Sequence, residues 1–178
     1  MVFGKIFGGA KGASFECIYQ DCESACCKNN LVVLNADDIE RLKLENIDPF
    51  EVSSKLSLND FLISMKASAM RQLEGLYVLK LKHDPDGNCV FLLPEGNCRL
   101  YESRPFSCRE FPFKFAKGKI KKTDPCPGVG IGAEKSIEEL RLILGLDQLG
   151  KKPPFIIGDE SKVKMANKLM PMVFKLMG

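Results

Sequence analysis

The sequence lacks tryptophan, contains one histidine, His83, and has a formal net charge of only +3. So small an excess of positive charge gives no electrostatic basis for nucleic-acid binding, and we expect no nucleic-acid partner. A catalytic thiol usually needs a histidine base. His83 directly precedes a predicted turn and has no paired neighbour, so an exposed turn residue is its expected role.

No uninterrupted apolar stretch approaches the length of a membrane span, which argues against a membrane partner. The amino-terminal segment MVFGKIFGGAKGASF is not typical of a secretory signal, because Lys5, Gly8 and Gly9 interrupt its apolar run. The sequence therefore predicts a cytoplasmic protein whose thiols are kept reduced, a setting in which disulfides are rare.

The feature that stands out is cysteine, which occurs eight times: Cys17, Cys22, Cys26, Cys27, Cys89, Cys98, Cys108 and Cys126. Isolated cysteines are often just small buried apolar residues. Four within the eleven residues CIYQDCESACC indicate metal binding instead. Thiolate suits zinc, copper(I) and iron–sulfur clusters, and four thiolates close a zinc site or hold one 4Fe–4S cluster. Eight thiols therefore allow two centres, or one centre with spare thiols.

The spacing of the cysteines leaves the metal open. The chain contains no C-x2-C pair, which a zinc ribbon needs, and Cys17-x4-Cys22-x3-Cys26 misses the plant ferredoxin spacing by one residue. The adjacent Cys26 and Cys27 would point to opposite sides of an extended backbone. Either the backbone turns sharply there or the pair serves two sites.

The remaining patterns predict an α+β fold. LVVL (31–34) and 76–83 are typical of strands, 84–87 is a turn, and hairpins are expected in 89–101 and 111–123. Helices are predicted after a cap at 35–38, over 57–74, from Glu134 to Leu146 and from Ser161 to Met177. We expect one small domain, with helices around a loop-rich antiparallel β core that the cysteine cluster organises. Residues 1–150 would form the cysteine-cluster metal-binding domain, and 151–178 a linker and an amphipathic helix packed on it.

The turn CPGVGIG (126–132) is rich in glycine. As a nucleotide-binding loop the pattern is weak, since no phosphate-loop lysine follows. Small residues such as Gly128 and Gly130 can instead bring backbone N–H groups close to sulfur or another anion. We therefore predict that these two glycines contribute to cofactor binding.

Three segments of the chain resemble a known family: C-x4-C-x3-C-C, then NCRLYESRPFSCREFP, then DPCPGVGIG. They closely resemble the YkgJ-like cysteine-cluster family, also called CxxCxxCC, which is described as a zinc- or iron-chelating domain. Its eight cysteines fall on the eight of this chain. Its Arg-Pro falls on Arg104-Pro105 and its Cys-Arg-x-Phe-Pro on 108–112. The first spacings here are x4 and x3, where the family's name has x2 and x2.

The resemblance implies a cofactor class and a ligand set, namely all eight cysteines. Arg104 and Arg109 are predicted to offset the negative charge of such a site, with ordinary surface ion pairing as the alternative. We favour an iron–sulfur cluster, 4Fe–4S rather than zinc, in an accessory redox or metal-handling role. The alternatives are a zinc-binding structural module with a protein partner, and a cluster-dependent protein-modifying enzyme, since some relatives are labelled flagellin N-methylase.

Overall fold

The structure is a computed structural model that describes residues 12–28, 30–116, 119–122, 126–144 and 153–176. Within these ranges it contains five α-helices: α1 Ala36–Leu44, α2 Leu58–Ser64, α3 Phe106–Glu110, α4 Ile137–Ile143 and α5 Glu160–Leu176. The same ranges hold seven short strands: β1 Gly12–Ala13, β2 Ser53–Ser57, β3 Tyr77–Leu81, β4 Phe113–Ala116, β5 Lys119–Lys122, β6 Lys135–Ser136 and β7 Ile156–Ile157. Every pairing between them is antiparallel, and the predicted α+β class is confirmed.

The chain forms two compact units, each assembled from two separate segments. The first unit takes Met1–Lys28 and Phe91–Gly150, and the second takes Asn29–Val90 and Lys151–Gly178. The predicted division at residue 150 stays a prediction. No helix in the described ranges has both the length and the apolar character that crossing a bilayer requires.

The second unit is built on the sheet β2-β3-β7. Ser53 pairs with Leu81 and Tyr77 with Ile157, so β3 lies in the middle. Helices α2 and α5 pack on this sheet around an apolar core that contains Leu58, Leu62, Leu76, Val78, Ala166 and Met170. The amphipathic final helix is confirmed, and its apolar stripe is what buries it here. The predicted strand at 76–83 corresponds to β3.

The segment LVVL, predicted as a strand, runs beside β3 but forms an isolated bridge there, between Val33 and Lys80, and Leu31 is exposed. The Leu34 N–H donates to the Leu79 carbonyl at 2.9 Å, and the Leu81 N–H donates to the Val32 carbonyl at 2.9 Å. Helix α1 follows at once because Asn35 caps it. The Asn35 side chain accepts from the Asp38 N–H, and the Asp38 carboxylate accepts from the Asn35 N–H, both at 3.0 Å. The predicted cap at 35–38 is confirmed.

The predicted helix over 57–74 is wrong beyond Ser64. Lys66 adopts a left-handed φ of 64°, and the Ala67 N–H bonds back to the Leu62 carbonyl at 2.9 Å, which is how a helix ends. The Asn59 side chain then accepts from the Met70 N–H at 2.9 Å, so the following chain folds back on the helix. A 3-10 turn, Arg71–Leu73, precedes β3.

The first unit contains two small two-stranded sheets, β1-β6 and β4-β5. The pair β4-β5 confirms the hairpin predicted within 111–123, although its turn at 117–118 lies outside the described residues. Helix α4 begins at Ile137 rather than at the predicted Glu134, because Ser136 and Glu139 form a capping box. The core of this unit consists of Phe106, Phe113, Leu140 and Leu144.

The loops between β3 and α3 form two tight hairpins. In the second unit the Gly87 N–H closes the predicted turn on the Asp84 carbonyl, and a single bridge joins His83 to Cys89. In the first unit the Gly96 N–H closes a turn on the Leu93 carbonyl at 2.9 Å. There the only bridge is between Leu92 and Cys98, within the part of the chain described. The hairpins predicted for this region therefore exist as single bridges around turns.

Candidate metal centre

All eight cysteines are thiols, and each is partly buried. Seven belong to the first unit and Cys89 to the second. The described residues include no group of three or more histidine, cysteine, aspartate or glutamate side chains that could hold a metal ion as they stand. The thiols are linked instead by hydrogen bonds and by charge–charge effects.

The segment from Cys17 to Cys27 is a succession of tight turns. The Cys22 N–H donates to the Ile18 carbonyl at 3.3 Å, and the Cys27 N–H donates to the Ser24 carbonyl at 2.7 Å. Ser24 adopts a left-handed φ of 56°, and the segment ends in the 3-10 turn Ala25–Cys27. The backbone therefore turns sharply at the adjacent pair, which brings the Cys27 thiol within hydrogen-bonding reach of the Cys26 sulfur. The sharp turn that the sequence raised as one alternative is present, and whether the pair serves one site or two stays a prediction.

Ser24 attaches this segment to the turn that precedes Cys98. Its hydroxyl donates to the Gly96 carbonyl, and its side chain is almost fully buried. Gly96 has a φ of +91°, and a Cβ at this position would lie 3.2 Å from the Ser24 hydroxyl oxygen. A glycine is thus the natural residue for this junction. The contact links two cysteine-bearing segments that are 72 residues apart in the chain.

The ionisation of the thiols shows which of them are neighbours. The hydrogen bond from Cys27 lowers the pKa of Cys26 to about 7. Burial raises the pKa of Cys17, and the negative charges of Cys26 and Cys22 raise it further. Burial also raises the pKa of Cys98, with Cys26 acting in the same direction. Of Cys17, Cys26 and Cys98, Cys26 therefore ionises at the lowest pH, and its charge opposes ionisation of the other two.

Arg104 is the cation of this group. Its positive charge acts to lower the pKa of Cys17, of Cys26 and of Cys98. Arg109 lies in α3, is 3% exposed, and donates from Nε to the Arg104 carbonyl at 2.9 Å. Of the two predicted arginines, Arg104 thus lies beside the thiols, and Arg109 supports the backbone that carries it.

The predicted glycine turn lies against the chain that leads into Cys17. The Glu16 N–H donates to the Gly128 carbonyl at 3.1 Å, and the Gly130 N–H donates to the Ser14 carbonyl at 3.0 Å. A Cβ on Gly128 would lie 2.0 Å from the Glu16 carbonyl oxygen, so only glycine fits there. These glycines bring the loop after Cys126 next to Cys17. Their donation to a bound sulfur or anion stays a prediction.

For the other three cysteines the structure gives backbone contacts. Cys108 lies in α3, where its N–H donates to the Pro105 carbonyl at 3.0 Å. The Cys126 carbonyl accepts from the Val129 N–H at 3.1 Å. Cys89 pairs with His83 in the second unit. The assignment of these three as ligands stays a prediction, as does that of the other five.

Sequence reasoning missed Tyr101. Its hydroxyl hydrogen-bonds to Cys17, and the Arg104 guanidinium carbon lies 3.7 Å from the centre of its ring. The only signal was its position in CRLYESR, three residues from both Cys98 and Arg104. In the sequence alone, this segment predicts one strand of the hairpin in 89–101.

The chemistry of the grouped side chains fits a thiophilic metal. Cys17, Cys22, Cys26, Cys27 and Cys98 supply soft donors, one of which ionises near neutral pH, and Arg104 supplies compensating charge. A metal cation would stabilise the Cys17 thiolate, which burial and then the charge of Cys26 disfavour.

Comparison with known proteins agrees with this chemistry. Residues 16–127 match the CxxCxxCC family, whose description is "putative zinc- or iron-chelating domain". The matched stretch contains all eight cysteines and covers more than half of the chain. No curated protein and no solved structure matches the chain.

Proposed function

This chain belongs to the CxxCxxCC family, and we propose that it holds an iron–sulfur cluster on cysteines of its first unit. Metal binding by a cysteine-rich domain is what the family match supports. The iron–sulfur identity and an accessory role in redox or metal handling, within a cytoplasm that keeps thiols reduced, are our proposal.

The observation that carries the proposal is the electrostatic grouping of Cys17, Cys26 and Cys98 with Arg104, together with the family match of the chain. Thiols whose thiolate forms oppose one another stay protonated in part, and a bound cation favours the thiolate forms. A bound metal supplies that cation, and its binding releases the thiol protons. When bound, an iron–sulfur cluster would supply reversible one-electron chemistry.

Two features favour iron–sulfur over zinc. The grouped donors are all sulfur, whereas mixed cysteine and histidine sites are common for zinc, and His83 belongs to the second unit. The last cysteine, Cys126, precedes Pro127 as the last cysteine of bacterial ferredoxin runs precedes a proline. By number, four thiolates suffice for one 4Fe–4S cluster.

Anaerobic purification, followed by metal analysis, acid-labile sulfide analysis and a visible absorption spectrum, tests the proposal. We expect iron with matching sulfide and a brown chromophore that oxygen bleaches. The Cys26→Ser variant should lose most of the metal. Ser107→Ala, an exposed change next to Cys108, is the matched control and should retain it.

A colourless protein with stoichiometric zinc would overturn the iron–sulfur proposal and favour the zinc-binding structural module instead. A protein that takes up neither iron nor zinc after anaerobic reconstitution would overturn metal binding altogether.

A further inference from the structure

The side chains of Tyr101 and Arg104 form a stacked pair beside the thiols. The guanidinium carbon of Arg104 lies 3.7 Å from the centre of the Tyr101 ring, well within the range of a cation–π contact. The Tyr101 hydroxyl reaches the sulfur of Cys17 and hydrogen-bonds to it. One aromatic side chain therefore connects a fixed positive charge to one particular thiol.

The backbone holds this pair in place from three sides. The Tyr101 N–H donates to the Cys98 carbonyl at 3.2 Å, and the neighbouring Leu100 is 5% exposed and anchors the turn. The buried Arg109 side chain donates to the Arg104 carbonyl at 2.9 Å. A side chain on such a fixed loop loses little conformational freedom when it forms a hydrogen bond.

We propose that Tyr101 is a positioning residue of the metal centre, whose hydroxyl orients the Cys17 sulfur while Arg104 holds the phenol ring and adds positive charge. The proposal rests on the function proposed above. Groups that hydrogen-bond to a metal's ligands orient those ligands and tune their basicity. Tyrosine suits this position because its O–H can donate to sulfur while its ring packs against the guanidinium.

Arg104 has donor capacity left for the occupied site. Its Nε is buried and, within the described ranges, has no hydrogen-bond partner. Most buried polar groups are hydrogen-bonded, so a buried donor without a partner usually has a structural or functional explanation. Four thiolates carry more negative charge than a divalent ion neutralises, and an adjacent guanidinium offsets the excess. The pair therefore serves an anionic metal–thiolate centre.

The first test compares metal affinity in wild type and Tyr101→Phe. Anaerobic titrations with Co²⁺ and Zn²⁺ against a chromophoric chelator measure the dissociation constants. We expect Tyr101→Phe to weaken binding about tenfold, the lower end of the range typical for such supporting contacts. The sulfur-to-cobalt absorption band should also shift to lower energy, because a thiolate without its hydrogen bond gives up charge more easily. Arg104→Met should weaken binding at least as much.

Tyr77→Phe is the matched control. Tyr77 also carries a cation over its ring, with Lys55 Nζ 5.8 Å from the centroid, but it lies in the second unit. Its loss should change neither the dissociation constants nor the cobalt band. Thermal unfolding of each metal-free variant checks that Tyr101→Phe folds as wild type does.

A second readout needs no metal. Iodoacetamide labelling of metal-free protein at pH 8, followed by mass spectrometry, gives the rate for Cys17 relative to Cys126. Loss of the Tyr101 donor should raise the pKa of Cys17, so that a smaller fraction of it is thiolate at pH 8. Each thiolate becomes a better nucleophile, but this gain is the smaller effect, so labelling of Cys17 should slow about twofold. Wild type that binds neither ion, and takes up no iron after anaerobic reconstitution, overturns the proposed function and this inference with it. Wild type that binds, with Tyr101→Phe equal to it in affinity or in Cys17 labelling, overturns the inference alone.

Discussion

At the scale of single residues, the adjacent cysteines 26 and 27 have unequal roles. The Cys27 thiol donates to Cys26, and this hydrogen bond is the largest cause of the lowered pKa of Cys26, about 7. Cys26 in metal-free protein is therefore mostly thiolate just above neutral pH. Cys17, whose pKa burial raises, ionises at higher pH.

We predict that iodoacetamide labels Cys26 first in metal-free protein, with a rate that rises with pH through a midpoint near 7. Removing the donor in Cys27→Ala should raise the pKa of Cys26, so that labelling at pH 7 becomes slower. Cys22→Ala is the control and should leave the midpoint of Cys26 in place. Mass spectrometry over a pH series measures each rate; an unchanged midpoint in Cys27→Ala would contradict the prediction.

The second prediction at the scale of single residues concerns Gly128. A Cβ at this position would lie 2.0 Å from the Glu16 carbonyl oxygen, so Gly128→Ala must push the loop after Cys126 away from the chain leading into Cys17. We expect a loss of about 1–3 kcal/mol in unfolding free energy, as for overpacked cores, together with weaker metal retention. Urea unfolding and metal analysis measure the two effects.

Gly75→Ala is the comparison for Gly128→Ala. Gly75 has a φ of +81° but open space around its Cβ position, and it belongs to the second unit. Its substitution should cost about 1 kcal/mol through backbone strain alone and leave metal content unchanged. Equal metal loss in both variants would show that general destabilisation, rather than the loop beside Cys17, is responsible.

The sequence identified residues suited to metal chemistry more readily than it predicted which side chains touch. Residue type and spacing drew attention to the cysteines, since soft donors in such density have few other uses, and the resemblance drew attention to Arg104 and Arg109; the ligand set itself stays a prediction. Tyr101 could not be predicted, because a tyrosine near a cysteine is common and only the turn after Cys98 directs its hydroxyl to Cys17. The role of Arg109 could not be predicted either, because its hydrogen bond to the Arg104 carbonyl depends on where α3 places it.

At the scale of elements, the capping box of α1 is buried. Asn35 is 5% exposed and Asp38 1%, and each side chain accepts a backbone N–H of the other at 3.0 Å. Asn35→Ala should lower the unfolding free energy by about 1–2 kcal/mol, because it leaves the buried Asp38 N–H without its acceptor. Ser136→Ala removes the exposed box of α4 and should cost less, since water replaces the lost partner. Urea titrations of both variants measure the difference, and equal losses would contradict it.

Element prediction succeeded where a local signal was strong. The final helix shows apolar periodicity and the first helix a cap at 35–38, and the structure contains both. The helix over 57–74 failed because apolar periodicity continues past Ser64, whereas the end is decided by the left-handed Lys66 and the Asn59 contacts to Met70. A helix end of this kind leaves no periodic signal in the sequence.

At the scale of the whole molecule, each compact unit combines segments that are distant in the chain. Local patterns cannot predict such an arrangement, because each segment by itself reads as an ordinary strand or turn. The one sequence signal for it was the cysteines, which a shared metal would bring together. The hydrogen bond from Ser24 to Gly96 and the charge effect of Cys26 on Cys98 connect the same two segments within the first unit.

This arrangement predicts where metal removal acts. Ligands from 17–27 and from 98 would make the metal a crosslink across a long stretch of chain, so chelation should loosen the first unit. At a free metal concentration about a thousandfold above Kd, bound metal adds about 4 kcal/mol to stability. Hydrogen exchange on anaerobic holoprotein before and after chelation should show protection lost at 17–27 and 91–101. The amides of β3, buried in the core of the second unit, should keep theirs. Protection lost equally in β3, or unchanged at 17–27, would contradict a metal held by the first unit's cysteines.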